Sequence, residues 1–263
     1  GDCSMCNSER GNDCRRGPII GFQLPGCFAE RALLPAISLV KVDDRISDSE
    51  AATLQSLSDS IAGVETAQIR PGESVAVFGQ GSMGIESMQA ARACGAGRLI
   101  TVDVRDEACK LSLELGADYA INAKNDDPIE VIRDLTDGEG ADVVFECAGG
   151  SVKQGLAGDK ALKQAMHAVR SGGKLVGVSW FGTPLELDVD FFRERSLRYI
   201  FPDISSQAHL EFTVQLVATG RISMKPTITH VLEGIDKVPE AFEITANKGK
   251  YQAINPAQVV IAQ

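Results

Sequence analysis

The stretch Val75-Ala76-Val77-Phe78-Gly79-Gln80-Gly81-Ser82-Met83-Gly84 joins an apolar run to three spaced glycines, and a helical pattern continues it through Ile85, Met88 and Ala91. Residues 75–78 show no polar alternation, as expected of a strand covered on both faces. A first glycine permits a tight turn, a second lets backbone approach a bound group closely, and a third lets the helix pack on the strand. The start of the following helix gathers unpaired N–H groups and the positive end of the dipole. That is a site for an anion.

Working outward, further apolar runs stand at 99–102, 143–145 and 175–178. Helical patterns separate them: Ala108, Leu111 and Leu115; Ile129, Ile132 and Leu135; Leu162, Ala165, Met166 and Val169. Strand and helix in alternation, joined by right-handed crossovers, predict an α/β fold with a doubly wound parallel sheet of the Rossmann type. Upstream, Ala51, Leu54, Leu57, Ile61 and Val64 predict one helix over 47–69, opened by a capping box of Ser47 and Glu50 and ended before Pro71-Gly72. Residues 1–45 are rich in Gly, Pro and Cys, with strand-like runs at 32–34 and 39–42. Beyond Gly182, helices are predicted around Leu210, Val214 and Val217 and over 238–245, with a closing strand at 259–261.

The glycine fingerprint gains meaning from Asp103, which ends the 99–102 run nineteen residues after Gly84. An acid at this offset accepts hydrogen bonds from the adenosine ribose of a dinucleotide and repels a 2'-phosphate. NAD is therefore expected rather than NADP, although Arg105 places a cation two residues on. The expected cofactor-binding residues are Gly79, Gly81, Ser82, Met83, Gly84 and Asp103, with Val178 at the end of the fourth run. Trp180 and Phe181 are candidates either for lining the crevice at the strand ends or for an interface.

A net charge of -10 opposes general affinity for nucleic acid or anionic membranes, since phosphate binding rests mainly on Lys and Arg. No apolar run approaches the roughly 18 residues of a membrane span, and the first thirty residues hold no continuous apolar core. A soluble, cytoplasmic protein is expected. Cys27, Cys94, Cys109 and Cys147 are scattered and read as small core residues. Cys3, Cys6 and Cys14 crowd together, a cluster that in a cytosolic protein favours a metal over disulfides. His167, His209 and His230 lack metal-ligand spacing and read as structural or solvated.

The pattern Cys3-x2-Cys6-x7-Cys14 resembles the structural-zinc lobe of the zinc-containing medium-chain alcohol dehydrogenases, where four cysteines are spaced x2, x2 and x7. The first of the four would fall just before Gly1, so the chain reads as starting one residue inside the motif. Gly26-Cys27-Phe28-Ala29-Glu30, residues 69–75, Gly116-Ala117-Asp118, residues 140–144, Glu146, residues 172–176, Gly220-Arg221-Ile222, Ile228-Thr229-His230 and Pro239-Glu240-Ala241-Phe242 follow the family order. The resemblance implies a structural zinc on Cys3, Cys6 and Cys14, and a GroES-like β catalytic domain of which this chain holds part. It implies a remnant of that domain with the lobe over 1–65, the NAD-binding domain over 66–205, and a return to the catalytic domain over 206–263.

The family's catalytic zinc takes two ligands that the resemblance places upstream of the lobe. The third position falls on Gln55, a neutral and therefore poor zinc ligand, with Asp59 one turn later on the same face; both also read as an exposed polar stripe. The implied function is hydride transfer between NAD and a small alcohol or polyol in a homodimer or homotetramer, incomplete in this chain. Two rivals stand beside it: a non-catalytic NAD-binding module, and a zinc-free quinone-reductase-like oxidoreductase, a group that generally lacks the cysteine lobe.

Overall fold

The computed structural model describes residues 2–8, 14, 16–150 and 158–261; Gly1 lies outside them. At the first helix the Ser47 side chain accepts the Glu50 amide while the Glu50 carboxylate accepts the Ser47 amide, a capping box that opens α1 (Asp48–Ala51). α1 ends after one turn. Thr53 donates both its amide (2.9 Å) and its hydroxyl (2.7 Å) to the Glu50 carbonyl, a closure tighter than the α-helical one. α2 (Leu54–Ala67) then runs to Gln68, whose φ of 49° stops it. The single helix expected over 47–69 is thus two.

Next come β1 (Ser74–Phe78), α3 (Ser82–Ala93), β2 (Arg98–Asp103), α4 (Asp106–Glu114), β3 (Tyr119–Asn122), α5 (Pro128–Asp134) and β4 (Ala141–Glu146). They lead on to α6 (Lys160–Ala168), β5 (Val169–Gly177), α7 (Val189–Glu194), β6 (Arg198–Ile200) and α8 (Gln207–Ala218). The last elements are β7 (Val231–Glu233), α9 (Val238–Ala246), α10 (Lys248–Tyr251) and β8 (Gln258–Val260).

Six strands form one sheet in the order β3-β2-β1-β4-β5-β6, every neighbouring pair parallel. This is the doubly wound order, in which the strand sequence reverses between β1 and β4 and opens a crevice at the carboxyl ends. Alternate β1 residues feed opposite cores. Val75 and Val77 pack with Leu57, Ile61, Met88 and Phe145 on one face. Ala76 and Phe78 pack with Ile100, Val144, Leu162 and Leu175 on the other. α2 lies on the first face against α3 and α8.

Some expectations need correction. No strand forms at 32–34 or 39–42; Pro35 leads into a short 3-10 turn at Ala36–Ser38, and Leu33 and Leu39 are exposed. Of the β structure expected outside the doubly wound sheet, the described residues hold the parallel pair β7 and β8. The run at 175–178 belongs to a longer strand that begins at Val169, directly after α6. Among the described residues, no helix is long and apolar enough to cross a membrane.

Candidate dinucleotide crevice and thiol lobe

The crevice between the ends of β1, β2 and β4 holds a cavity of about 480 Å³. Gly79 turns out of β1 with φ 88°, and a Cβ there would meet Ala148 at 2.7 Å. A Cβ on Gly84 would overlap the Gly79 carbonyl, so the start of α3 lies hard against the turn. Gly81 differs: a Cβ there would meet nothing within 4 Å. It would project into open space beside the cavity that Gly79, Gly81, Ser82 and Met83 line. Gly81 also gives α3 no side-chain cap, which leaves first-turn amides for an anion. A backbone cradle of this kind fits a pyrophosphate.

Asp103 ends β2 on the same cavity and is buried. Its Oδ2 accepts the Gln80 amide at 2.6 Å. Its Oδ1 accepts the Val104 and Arg105 amides at 2.8 and 2.9 Å and the Arg105 Nε at 3.2 Å. The Arg105 guanidinium reaches further, to the Gln80 carbonyl at 3.3 Å and the Ala253 carbonyl at 3.4 Å. Lys160 and Lys248 line the cavity as well. Burial, reinforced by the nearby Arg105, lowers the pKa of the Lys248 ammonium. Val178 follows β5, donates its amide to the Glu146 carbonyl at 3.0 Å, and is not among the cavity-lining residues. Of the aromatic pair, Trp180 is exposed, while Phe181 packs against Gly149 at the cavity edge.

Two further carboxylates are buried: Glu146, given by sequence only as part of the family order, and Glu86, which sequence did not single out. Glu146 ends β4; its Oε1 accepts the amides of Ala148 (2.9 Å) and Gly149 (2.5 Å), and burial raises its pKa. Glu86 lies in α3 with no exposed surface. Its Oε1 is 2.9 Å from the hydroxyls of both Ser82 and Ser56, and its Oε2 is 3.4 Å from that of Ser60. The signal for it was absent because Gly84–Ala91 is buried all round, so helical periodicity separates no polar face there.

Away from the crevice, the Cys3 sulfur is 3.5 Å from that of Cys6 and 3.6 Å from that of Cys14. These three form the one close set of three metal-ligating side chains among the described residues. With zinc–sulfur bonds of about 2.3 Å, thiolates of a tetrahedral site stand about 3.8 Å apart, so the donor set fits three corners of one. The Cys6 amide, and then the Cys6 and Cys14 thiols, hold the Cys3 thiol down to about 6, while the contacts with Cys14 and Cys3 push the Cys6 thiol up, so the cluster favours one thiolate.

Gln55 is exposed and donates its amide to Asp59 Oδ2 at 2.8 Å, while Asp59 Oδ1 accepts the Ser205 hydroxyl. The two residues are paired with each other and belong to no such three-ligand set among the described residues. The histidines have other partners: His167 packs edge-on against Phe191, His209 Nε2 meets Glu65 at 2.5 Å, and His230 meets Thr229 at 2.9 Å.

Fold and crevice together define a Rossmann-type dinucleotide domain joined to a thiol lobe. The family model described as zinc-binding dehydrogenase matches residues 82–212. L-threonine 3-dehydrogenase from Thermococcus kodakarensis is 31% identical over 93% of this chain and 68% of its own length. An NAD-dependent alcohol dehydrogenase from Sulfurisphaera tokodaii is 28% identical over 97% of this chain and 70% of its own. A solved structure from Sinorhizobium meliloti 1021, bound to NADP, is 28% identical with a TM-score of 0.82, covering 92% of this chain and 69% of that one. The chain belongs to the zinc-binding dehydrogenases of the medium-chain alcohol dehydrogenase family, which are oxidoreductases.

Proposed function

We propose that this chain binds NAD(H) in the crevice at the ends of β1, β2 and β4, as the cofactor-binding part of a dehydrogenase that transfers hydride to and from a small alcohol or polyol. The observation that carries the reading is the cavity itself, where the glycine turn, the uncapped start of α3 and the Asp103 carboxylate converge. Gly81, Ser82 and Met83 would hold the pyrophosphate through backbone amides, Gly79 and Gly84 would keep helix and strand close, and Asp103 would accept the ribose hydroxyls. Val178, past the end of β5, is proposed for the nicotinamide side. When bound, the dinucleotide supplies the hydride chemistry.

Asp103 also favours NAD over NADP, since its charge opposes a 2'-phosphate. That preference is modest, because Arg105 pairs with the carboxylate and Lys160 and Lys248 line the same cavity. The relatives' names, threonine and alcohol dehydrogenases, support a small hydroxyl-bearing substrate. A catalytic zinc takes about three protein ligands and an open position. Gln55, held to Asp59, does not fit that role, so activation of the substrate oxygen is not assigned to these residues. A cytoplasmic setting and a homodimer or homotetramer are proposed as well.

NADH titration by fluorescence, repeated with NADPH, tests the reading. NADH is expected to bind more tightly, and Asp103→Ala to narrow the gap. Preference for NADPH in the unaltered chain would overturn the assignment of Asp103.

A further inference from the structure

Ser82 lines the crevice at the first turn of α3, where the pyrophosphate is proposed to sit, and its hydroxyl lies 2.9 Å from Glu86 Oε1. A hydroxyl has one proton. While Glu86 is ionised, the Ser82 proton is committed to the carboxylate, and the hydroxyl presents lone pairs to any phosphate oxygen that arrives. If Glu86 carries a proton, it donates to Ser82 Oγ, and the Ser82 proton is released toward the crevice. The second hydroxyl on the same oxygen keeps its direction: Ser56, 2.9 Å from Glu86 Oε1 and 3.1 Å from the Thr53 carbonyl, donates to Oε1 in either state, which leaves the one carboxyl proton for Ser82.

We propose that Glu86 is a positioning residue for the cofactor: dinucleotide binding takes up one proton onto Glu86, which turns Ser82 into a donor to the pyrophosphate. The proposal rests on the cofactor reading above. The proton comes from solvent, and no covalent bond changes.

The surroundings of Glu86 suit this role. α2 faces it with the neutral hydroxyls of Ser56 and Ser60, while Asp59 of that helix is turned to Gln55 and Ser205. Past the end of β4 lies Cys147, whose half-buried thiol is pushed up by desolvation and stays neutral. From α10, the Lys248 ammonium is the cation that favours the ionised form, and Arg105 in turn acts on Lys248. Burial outweighs these groups and brings the Glu86 carboxyl to about 7. An arriving pyrophosphate, a like charge, raises it further.

Affinity is then greatest below about pH 7 and falls as pH rises through that value, by up to tenfold per unit. The test is the NADH dissociation constant between pH 6 and 9, with calorimetry in two buffers of different ionisation enthalpy to count protons. We expect binding at least about tenfold weaker at pH 8.5 than at pH 6, with a net uptake that approaches one proton above about pH 8 and falls toward zero at pH 6, where Glu86 already holds its proton. Glu86→Gln, whose amide donates to Ser82 at every pH, is expected to flatten the profile at the tight end. Ser82→Ala is expected to weaken binding at low pH and to make the profile shallower, leaving only the like-charge effect of the pyrophosphate on Glu86. A side chain with a merely structural role would leave the slope in place. Because the proton count is made on the unaltered chain, it stands even if a variant fails to fold. A flat profile with binding intact, or a slope that survives in Glu86→Gln, overturns this proposal alone. Absence of NADH binding at every pH overturns it together with the cofactor reading.

Discussion

Asp103 accepts four hydrogen bonds, close to the number of lone-pair positions a carboxylate offers, and the longest of them comes from Arg105 Nε. A ribose hydroxyl that seeks this carboxylate therefore competes with Arg105 before it competes with the backbone. The same guanidinium is the cation nearest to Asp103 that a 2'-phosphate would meet. Arg105→Ala should thus free Asp103 and remove a phosphate partner together. We expect the NADPH dissociation constant to rise about tenfold, or about 1.4 kcal/mol, while that of NADH changes by less than about threefold. Equal weakening of both cofactors, read by parallel titrations, would show that Arg105 serves only to hold the Gln80 turn.

At the scale of elements, the seam between α2 and α3 carries a pH dependence through Glu86. Its ordinary value of 4.5 is raised to about 7 by burial in the folded chain. The folded state thus holds the proton more tightly than the unfolded one, so the stabilisation is complete below 4.5 and is lost as pH rises through about 7. Relative to Glu86→Gln, the unaltered chain should lose roughly 3 kcal/mol of stability between pH 4.5 and 8. Denaturation at both pH values checks this, and a difference that does not change with pH would contradict it. The thiol lobe supports a separate expectation. Cobalt(II) added to the chain should show thiolate charge-transfer absorption that weakens in Cys3→Ser, and no such absorption would contradict a metal lobe.

These elements also show where sequence sufficed. β1, β2 and β4 are central strands buried on both faces, and their apolar runs stand out against the helices between them. β3 lies at the sheet edge, exposes Tyr119 and buries Ile121, so its pattern is weak. β6 has three residues and packs its Tyr199 ring beside Phe192 and Phe201. The glycine turn and Asp103 were legible because their spacing is fixed by a continuous β-α-β unit. Glu86 and Lys248 were not: one is hidden in a helix buried all round, and the other reaches the crevice from α10, far along the chain.

For the whole molecule, binding and turnover are expected to separate. The crevice is lined by residues of the doubly wound sheet and its helices together with Lys248 and Gly249 of α10, whereas Gln55 and Asp59 are paired with each other. Alcohol-dependent NAD reduction by the chain should not exceed a zinc-free control; steady turnover would mean that Asp59 or another residue forms a working site. The central claim is that the crevice beside Gly81 is where the dinucleotide binds. NADH titration of the chain and of Gly81→Val, at pH 6.5 and with thermal melting recorded for both, tests it most directly. The account predicts saturable one-to-one binding that weakens at least about tenfold in the variant at unchanged melting temperature, because the added Cβ enters the cradle with no protein atom within 4 Å. Equal NADH affinity in the two proteins, or none in the unaltered chain, would contradict it.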